Sequence, residues 1–255
     1  MSGADTPRIG KEYYDSSDYF EGDADHLQDM ESAFQRYRIR KVLEIHEPGP
    51  GDRVADLGCG WGTFDFVLAP RVREVVGIDF SEKSIELCRR RLANTDFKNV
   101  RFLCADGGDT GLPEASFDLV LAADLYEHLY PEDSRRVTEE AFRILRPGGR
   151  FSVWTPHRGH LLEHLKNNDI LLKRDVSHVD YKSMARLRDL LEDAGFEVER
   201  AYYAESHLPG LRQVERALQG FVPLLRRRIA MLGRKTHGGS AGSSRGASGA
   251  GQGEG

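Results

Sequence analysis

The stretch VADLGCGWG, Val54 to Gly62, decides how the rest of the chain is read. A short strand candidate, Arg53–Leu57, breaks into three alternating glycines, and an amphipathic stretch follows to about Ala69. That order predicts a strand, a tight turn and a helix. Glycines let the backbone turn sharply and come close to a ligand, and the helix start presents free N–H groups.

Dinucleotide loops read GxGxxG, with a pyrophosphate on the helix N-terminus. Counting from Gly58, the sixth position is Thr63, and the acidic Asp56 stands just before the turn. A carboxylate there repels a pyrophosphate but accepts from an ammonium group. The loop therefore suits the amino-acid end of S-adenosylmethionine better than a dinucleotide.

Working outward, Glu74–Ile78 is a second strand ending at Asp79, and Ser81 is placed to cap a helix carrying Ile85, Cys88 and Leu92. Val100–Ala105 is a third strand, ending at Asp106 and Gly107. Phe117–Ala123, nearly all apolar as in a sheet covered on both faces, is a fourth and ends at Asp124 and Leu125. A helix at Ser134–Leu145 stops at Pro147-Gly148-Gly149, and Arg150–Trp154 is a fifth strand. A helix at Ser183–Ala194 and a strand at Phe196–Tyr203 follow, with RIAMLGR (Arg228–Arg234) as a final strand. Strands alternating with helices predict an α/β fold with a doubly wound parallel sheet. One acid after a strand is a common turn or cap residue. Four of them at four strand ends mark the crevice where such sheets bind ligands.

The 255 residues suffice for one well-buried domain. With 41 acidic against 36 basic residues, the formal charge of −5 argues against a general nucleic-acid binder. Cys59, Cys88 and Cys104 are scattered, with no CxxC pair, and fit neither a disulfide framework nor zinc. No apolar signal region or membrane-length stretch is visible, so a cytoplasmic location is expected. Met30 to His46 reads as a helix, preceded by the aromatics Tyr13, Tyr14, Tyr19 and Phe20. Residues 1–47 form a helical and aromatic lid segment in this reading, 48–236 the main domain, and the Gly/Ser-rich 237–255 a disordered tail. The α/β rhythm breaks near 157–178 and 206–225, where insertions on the acceptor side are expected.

The strings VADLGCGWG, VVGIDFS, CADGGDTGLP, SFDLVLAADLYEHL and RILRPGGRFSVWTP together resemble the class I methyltransferases, most closely the type 11 group of ubiquinone and menaquinone biosynthesis. The resemblance covers about Val54 to Pro156. It implies a Rossmann-like, mostly parallel seven-stranded sheet with an antiparallel last strand, and S-adenosyl-L-methionine as cofactor. It also implies a cofactor shell of Asp56, Gly58, Cys59, Gly60, Gly62, Asp79, Phe80, Ser81, Asp106, Gly107, Asp124 and Leu125, and a small-molecule methyl acceptor.

Methyl transfer depends chiefly on holding the acceptor in line with the S–CH3 bond, and a base is needed only where a proton leaves early. His128 is the candidate base, although its place also suits a supporting role. Tyr13, Tyr14, His157, His178 and His207 are the candidate acceptor residues. His160 and His164 stand at helical spacing, but no third ligand has a diagnostic spacing, so no metal is expected. Arg226, Arg227 and Arg228 beside Leu224 and Leu225 read as a charged approach to an edge strand, with peripheral membrane contact as the alternative. A membrane-lipid acceptor and a non-catalytic S-adenosylmethionine binder are the competing functions. The sequence says nothing of oligomeric state.

Overall fold

The computed structural model describes residues 8–16, 29–157, 176–206 and 209–236. Seven strands form one sheet: β1 (Arg53–Leu57), β2 (Glu74–Asp79), β3 (Val100–Cys104), β4 (Phe117–Ala123), β5 (Leu145–Pro156), β6 (Phe196–Ala204) and β7 (Arg228–Lys235). Their order is β3-β2-β1-β4-β5-β7-β6. The first five pair in parallel, whereas β7 runs antiparallel to both β5 and β6.

The described helices are α1 (Lys11–Asp15), α2 (Ala33–Ile45), α3 (Thr63–Leu68), α4 (Glu82–Leu92), α5 (Pro131–Ile144), α6 (Met184–Asp193) and α7 (Pro209–Leu218). Ser32, Ser81 and Ser183 begin α2, α4 and α6, each hydroxyl accepting from an amide three residues on.

Period-2 alternation in the central strands feeds two separate core layers. Val120 and Ala122 of β4 pack with Val137, Phe142, Leu187 and Leu191 of α5 and α6. Leu119, Leu121 and Ala123 pack on the other face with Val42, Ile45, Phe64 and Leu68 of α2 and α3. β7 divides likewise, with Ile229 and Met231 in the first layer and Ala230 and Leu232 in the second. This is the helix–sheet–helix sandwich expected from the sequence.

Two expectations need correction. RIAMLGR is the last strand in sequence but sits inside the sheet, between β5 and β6. Arg228 therefore enters an interior strand and not an edge. The interruption at 206–225 also contains a regular helix, α7, and a short 3-10 turn at Pro223–Leu225. Val214, Leu218, Phe221, Val222 and Leu224 are exposed there. No described helix is long and apolar enough to cross a membrane. The tail 237–255 and His207, like Tyr19, Phe20, His160 and His164, lie outside the described residues.

Candidate active site

The carboxyl ends of the parallel strands open into one cavity of about 530 Å3, within the ~300–1,000 Å3 of small-molecule sites. The glycine loop forms part of its wall. Gly58, Gly60 and Gly62 all have positive φ, at 71°, 51° and 71°. A Cβ on Gly58 would stand 2.8 Å from the Leu125 side chain, whereas one on Gly60 would meet nothing within 4 Å. Gly60 thus offers bare backbone to open space, in a conformation that side-chain-bearing residues rarely adopt. Gly62 does not line the cavity. It starts α3, and a Cβ there would press on Phe66, Cys88 and Phe102, so its smallness serves packing.

Asp79, the last residue of β2, lines the cavity and accepts from the amides of Gly60 (3.0 Å) and Ser81 (2.9 Å). Burial raises its pKa against the pull of those bonds. Asp106 accepts from Arg136 at 2.9 Å and from the Gly108 amide at 2.8 Å. Cys59, Phe80, Gly107 and Leu125 border the same space.

Asp56 and Ser81 do not line it. Asp56 is buried against Asp65 of α3: burial pushes Asp56 up to about 7 although the hydrogen bond to Asp65 pulls it down. Burial and the Asp56 charge hold Asp65 well above the carboxylate range. The Ser81 hydroxyl caps α4 and donates to Asp15 at 2.7 Å, which ties α1 to the rim of the site.

The other half of the cavity is built on the segment after β4. Asp124 has a φ of 57°, in the left-handed region that Asp tolerates better than most residues. Its carboxylate is ion-paired to Arg38 of α2 at 2.6 Å and to Arg228 of β7. Burial alone would raise its pKa, but Arg228 and Arg38 outweigh burial and hold it below the ordinary value. Both arginines line the cavity.

A 3-10 turn, Tyr126–His128, follows. Glu127 accepts from the Thr155 hydroxyl at 2.9 Å and lies 4.0 Å from Arg228. Burial, and then the charge of Asp124, push it up to about 8. The His128 Nδ1 is 3.1 Å from both the Tyr14 hydroxyl and the Ser177 carbonyl oxygen. His178 packs edge-on against His128, with centroids 4.9 Å apart, and its Nδ1 is 2.7 Å from the Tyr181 hydroxyl.

The chain around His178 is pinned to this turn. The amides of Val179 and Asp180 donate to the Glu127 carbonyl at 2.9 and 3.2 Å. Lys182, 0% exposed, donates to the carbonyls of Tyr126 (2.9 Å), Leu129 (3.1 Å) and Asp180 (2.9 Å), and to the Asp180 carboxylate (3.0 Å). Burial lowers the pKa of its ammonium, with Asp180 opposing.

Of the expected acceptor residues, Tyr14 and His178 meet the candidate base His128 at one end of the cavity. Tyr13 packs edge-on against Tyr14 at 5.2 Å without lining it. His157 is also apart: its amide donates to the Arg227 carbonyl, its ring sits edge-on to Tyr203, and burial lowers its pKa. Sequence reading missed Arg38, Glu127, Lys182 and the inward path of Arg228. For Arg38 a signal exists, since positions 38, 42 and 45 share one helical face and the other two are buried Val42 and Ile45.

The residues present fit S-adenosylmethionine. Gly60 could give a backbone cradle, Asp79 a carboxylate for vicinal hydroxyls and Asp106 an acceptor for an amino group, and all three line one cavity.

Comparison with known proteins points to the same cofactor. Residues 54–149 match the methyltransferase domain family. A probable S-adenosylmethionine-dependent methyltransferase of Mycolicibacterium smegmatis is 35% identical over 166 residues, covering 65% of this chain and 60% of that protein. The demethylmenaquinone methyltransferase of Clavibacter sepedonicus is 38% identical over 119 residues, or 47% of this chain and 46% of its own. The chain thus spans about half of the curated relatives it matches. In fold it is similar to the YcgJ protein of Bacillus subtilis, with a TM-score of 0.61 at 19% identity over 80% of this chain and 100% of that one.

Proposed function

Given that this chain carries a class I methyltransferase domain, the kind that binds S-adenosylmethionine, we propose that the protein methylates a small molecule with an apolar, ring-bearing body and an ionisable hydroxyl. The observation that carries this reading is the continuity of one cavity from Gly60 and Asp79 to Tyr14, His128 and His178. Tyr14, Phe34, Leu129 and Tyr130 give the second half an apolar lining, and Glu127, His128 and His178 give it a polar end.

S-adenosylmethionine supplies an electrophilic methyl group on a sulfonium. Gly58, Gly60, Asp79 and Asp106 hold the cofactor. The apolar side chains orient the acceptor and exclude water, which is where much of the rate of a displacement arises. His128 and its polar neighbours are the groups at hand for the acceptor's proton. α1 covers this end through Tyr14, in keeping with a lid formed by the N-terminal segment.

The test is transfer of labelled methyl from S-adenosylmethionine to a panel of phenolic and aliphatic hydroxyl compounds. His178→Ala is expected to lower transfer at least tenfold with S-adenosylhomocysteine affinity nearly intact. His157→Ala, outside the cavity, is expected to change neither. Equal losses in both variants, or cofactor binding with no transfer to any acceptor, would overturn the assignment.

A further inference from the structure

We propose that Glu127, His128 and His178 form a binding site for one divalent transition cation at the acceptor end of the cavity. The three residues each offer a ligand atom, and these atoms all lie within 4.8 Å of one another. Ligand atoms around one tetrahedral zinc, at ~2.0–2.2 Å from the metal, stand about 3.3–3.6 Å apart. Side-chain rotations that draw the ligand atoms together by about 1 Å therefore complete the site. All three residues line the cavity, which gives a cation an entry path and leaves positions for a further ligand.

The surroundings already hold the ligands in place. The Nδ1 of His128 stands 3.1 Å from the Ser177 carbonyl oxygen, and that of His178 stands 2.7 Å from the Tyr181 hydroxyl. A ligating histidine usually has its other ring nitrogen held in this way. Glu127 is anchored through the Thr155 hydroxyl. Residue 178 is 50 positions from His128, so spacing gives no sign of the set. The amides of Val179 and Asp180, with buried Lys182, bring it there.

The donor set also selects the metal. Two imidazoles and one carboxylate suit zinc, cobalt, iron or manganese better than magnesium or calcium, which take oxygen ligands. Arg228, 4.0 Å from Glu127, opposes any cation, but it is already ion-paired to Asp124. A cation held here would place a Lewis acid beside an acceptor hydroxyl, and His128 would then act as a ligand and not as the base. The proposal shares its cavity with the methyl-transfer reading, but its test reads the cation directly, so either can fail alone.

The experiment is a titration of the metal-stripped full chain with cobalt(II) alone, followed by its visible absorption and by calorimetry. One cobalt per chain is expected, with affinity weakened at least tenfold in His128→Ala and in His178→Ala. His46→Ala, altered at the opposite ends of the strands, is expected to bind as wild type. On the wild-type chain, which avoids any folding defect, cobalt should protect His128 and His178 from diethyl pyrocarbonate modification mapped by mass spectrometry. No stoichiometric binding, undiminished binding in folded His178→Ala, or protection confined to other histidines would each overturn the proposal.

Discussion

Two buried carboxyls, Glu127 and Asp56, give the protein a pH dependence opposite to that of a surface acid. Burial pushes their folded-state values up to about 8 and about 7. Between an unfolded value of about 4 and those folded values, the native state holds protons that the unfolded chain has released. Stability therefore falls as pH rises from about 5 to 8, by up to about 1.4 kcal/mol per pH unit for each group. Glu127→Gln, which can still accept from Thr155, is expected to flatten this slope when unfolding by urea is compared at pH 5.5 and 8 with a chelator present. An unchanged slope would mean that Glu127 is ionised throughout. Asp79 and Asp109 offer a second contrast at this scale. Asp79 lines the cavity at the end of β2, whereas Asp109 does not line it and donates its amide to the Asp106 carbonyl. Asp79→Ala should weaken S-adenosylhomocysteine binding by about 1.5–3 kcal/mol, the worth of charge-assisted hydrogen bonds, and Asp109→Ala should not. Asp79 was legible because it ends an apolar run. The engagement of Asp124 by Arg38 and Arg228 was not, since those partners are 86 and 104 residues away.

Among the elements, the strands and capped helices of the first half could be read from local pattern alone. Apolar runs with period-2 or 3.6-residue repeats, broken by glycine or begun by serine, place β1 to β4, α3 and α4. By contrast, α5 begins at Pro131, ahead of Ser134, and β5 starts at Leu145 and runs through the Pro147-Gly148-Gly149 expected to precede it. Where β7 inserts depends on pairing with β5 and β6, and a strand's own residues carry little information about its neighbours. The segment at 178–182 was equally opaque: polar by composition, it docks because Lys182 satisfies three backbone carbonyls at once. Lys182→Met would keep the volume and remove all three donors. It is expected to cost about 1–3 kcal/mol in chemical denaturation, the penalty for leaving buried polar groups unpaired. The loosened His178 segment should also lower methyl transfer. Wild-type stability in this variant would show that the carbonyls find other donors.

Across the whole molecule, a doubly wound sheet turns its strand ends toward one crevice, and the helices on its two faces are apolar ballast for that arrangement. α1, α2, β7 and the 177–182 segment come from both ends of the chain and close the same cavity, through Tyr14, Arg38, Arg228 and His178. The cofactor half was legible because a few contiguous motifs carry it; the acceptor half is assembled from residues far apart in sequence. We propose that the glycine loop and Asp79 bind the adenosyl cofactor, and calorimetric titration of the full chain with S-adenosylhomocysteine reads that binding without needing the acceptor. One site per chain is expected, with a dissociation constant in the micromolar range, about −8 kcal/mol. Folded protein that gives no heat and no displacement of S-adenosylmethionine would contradict it.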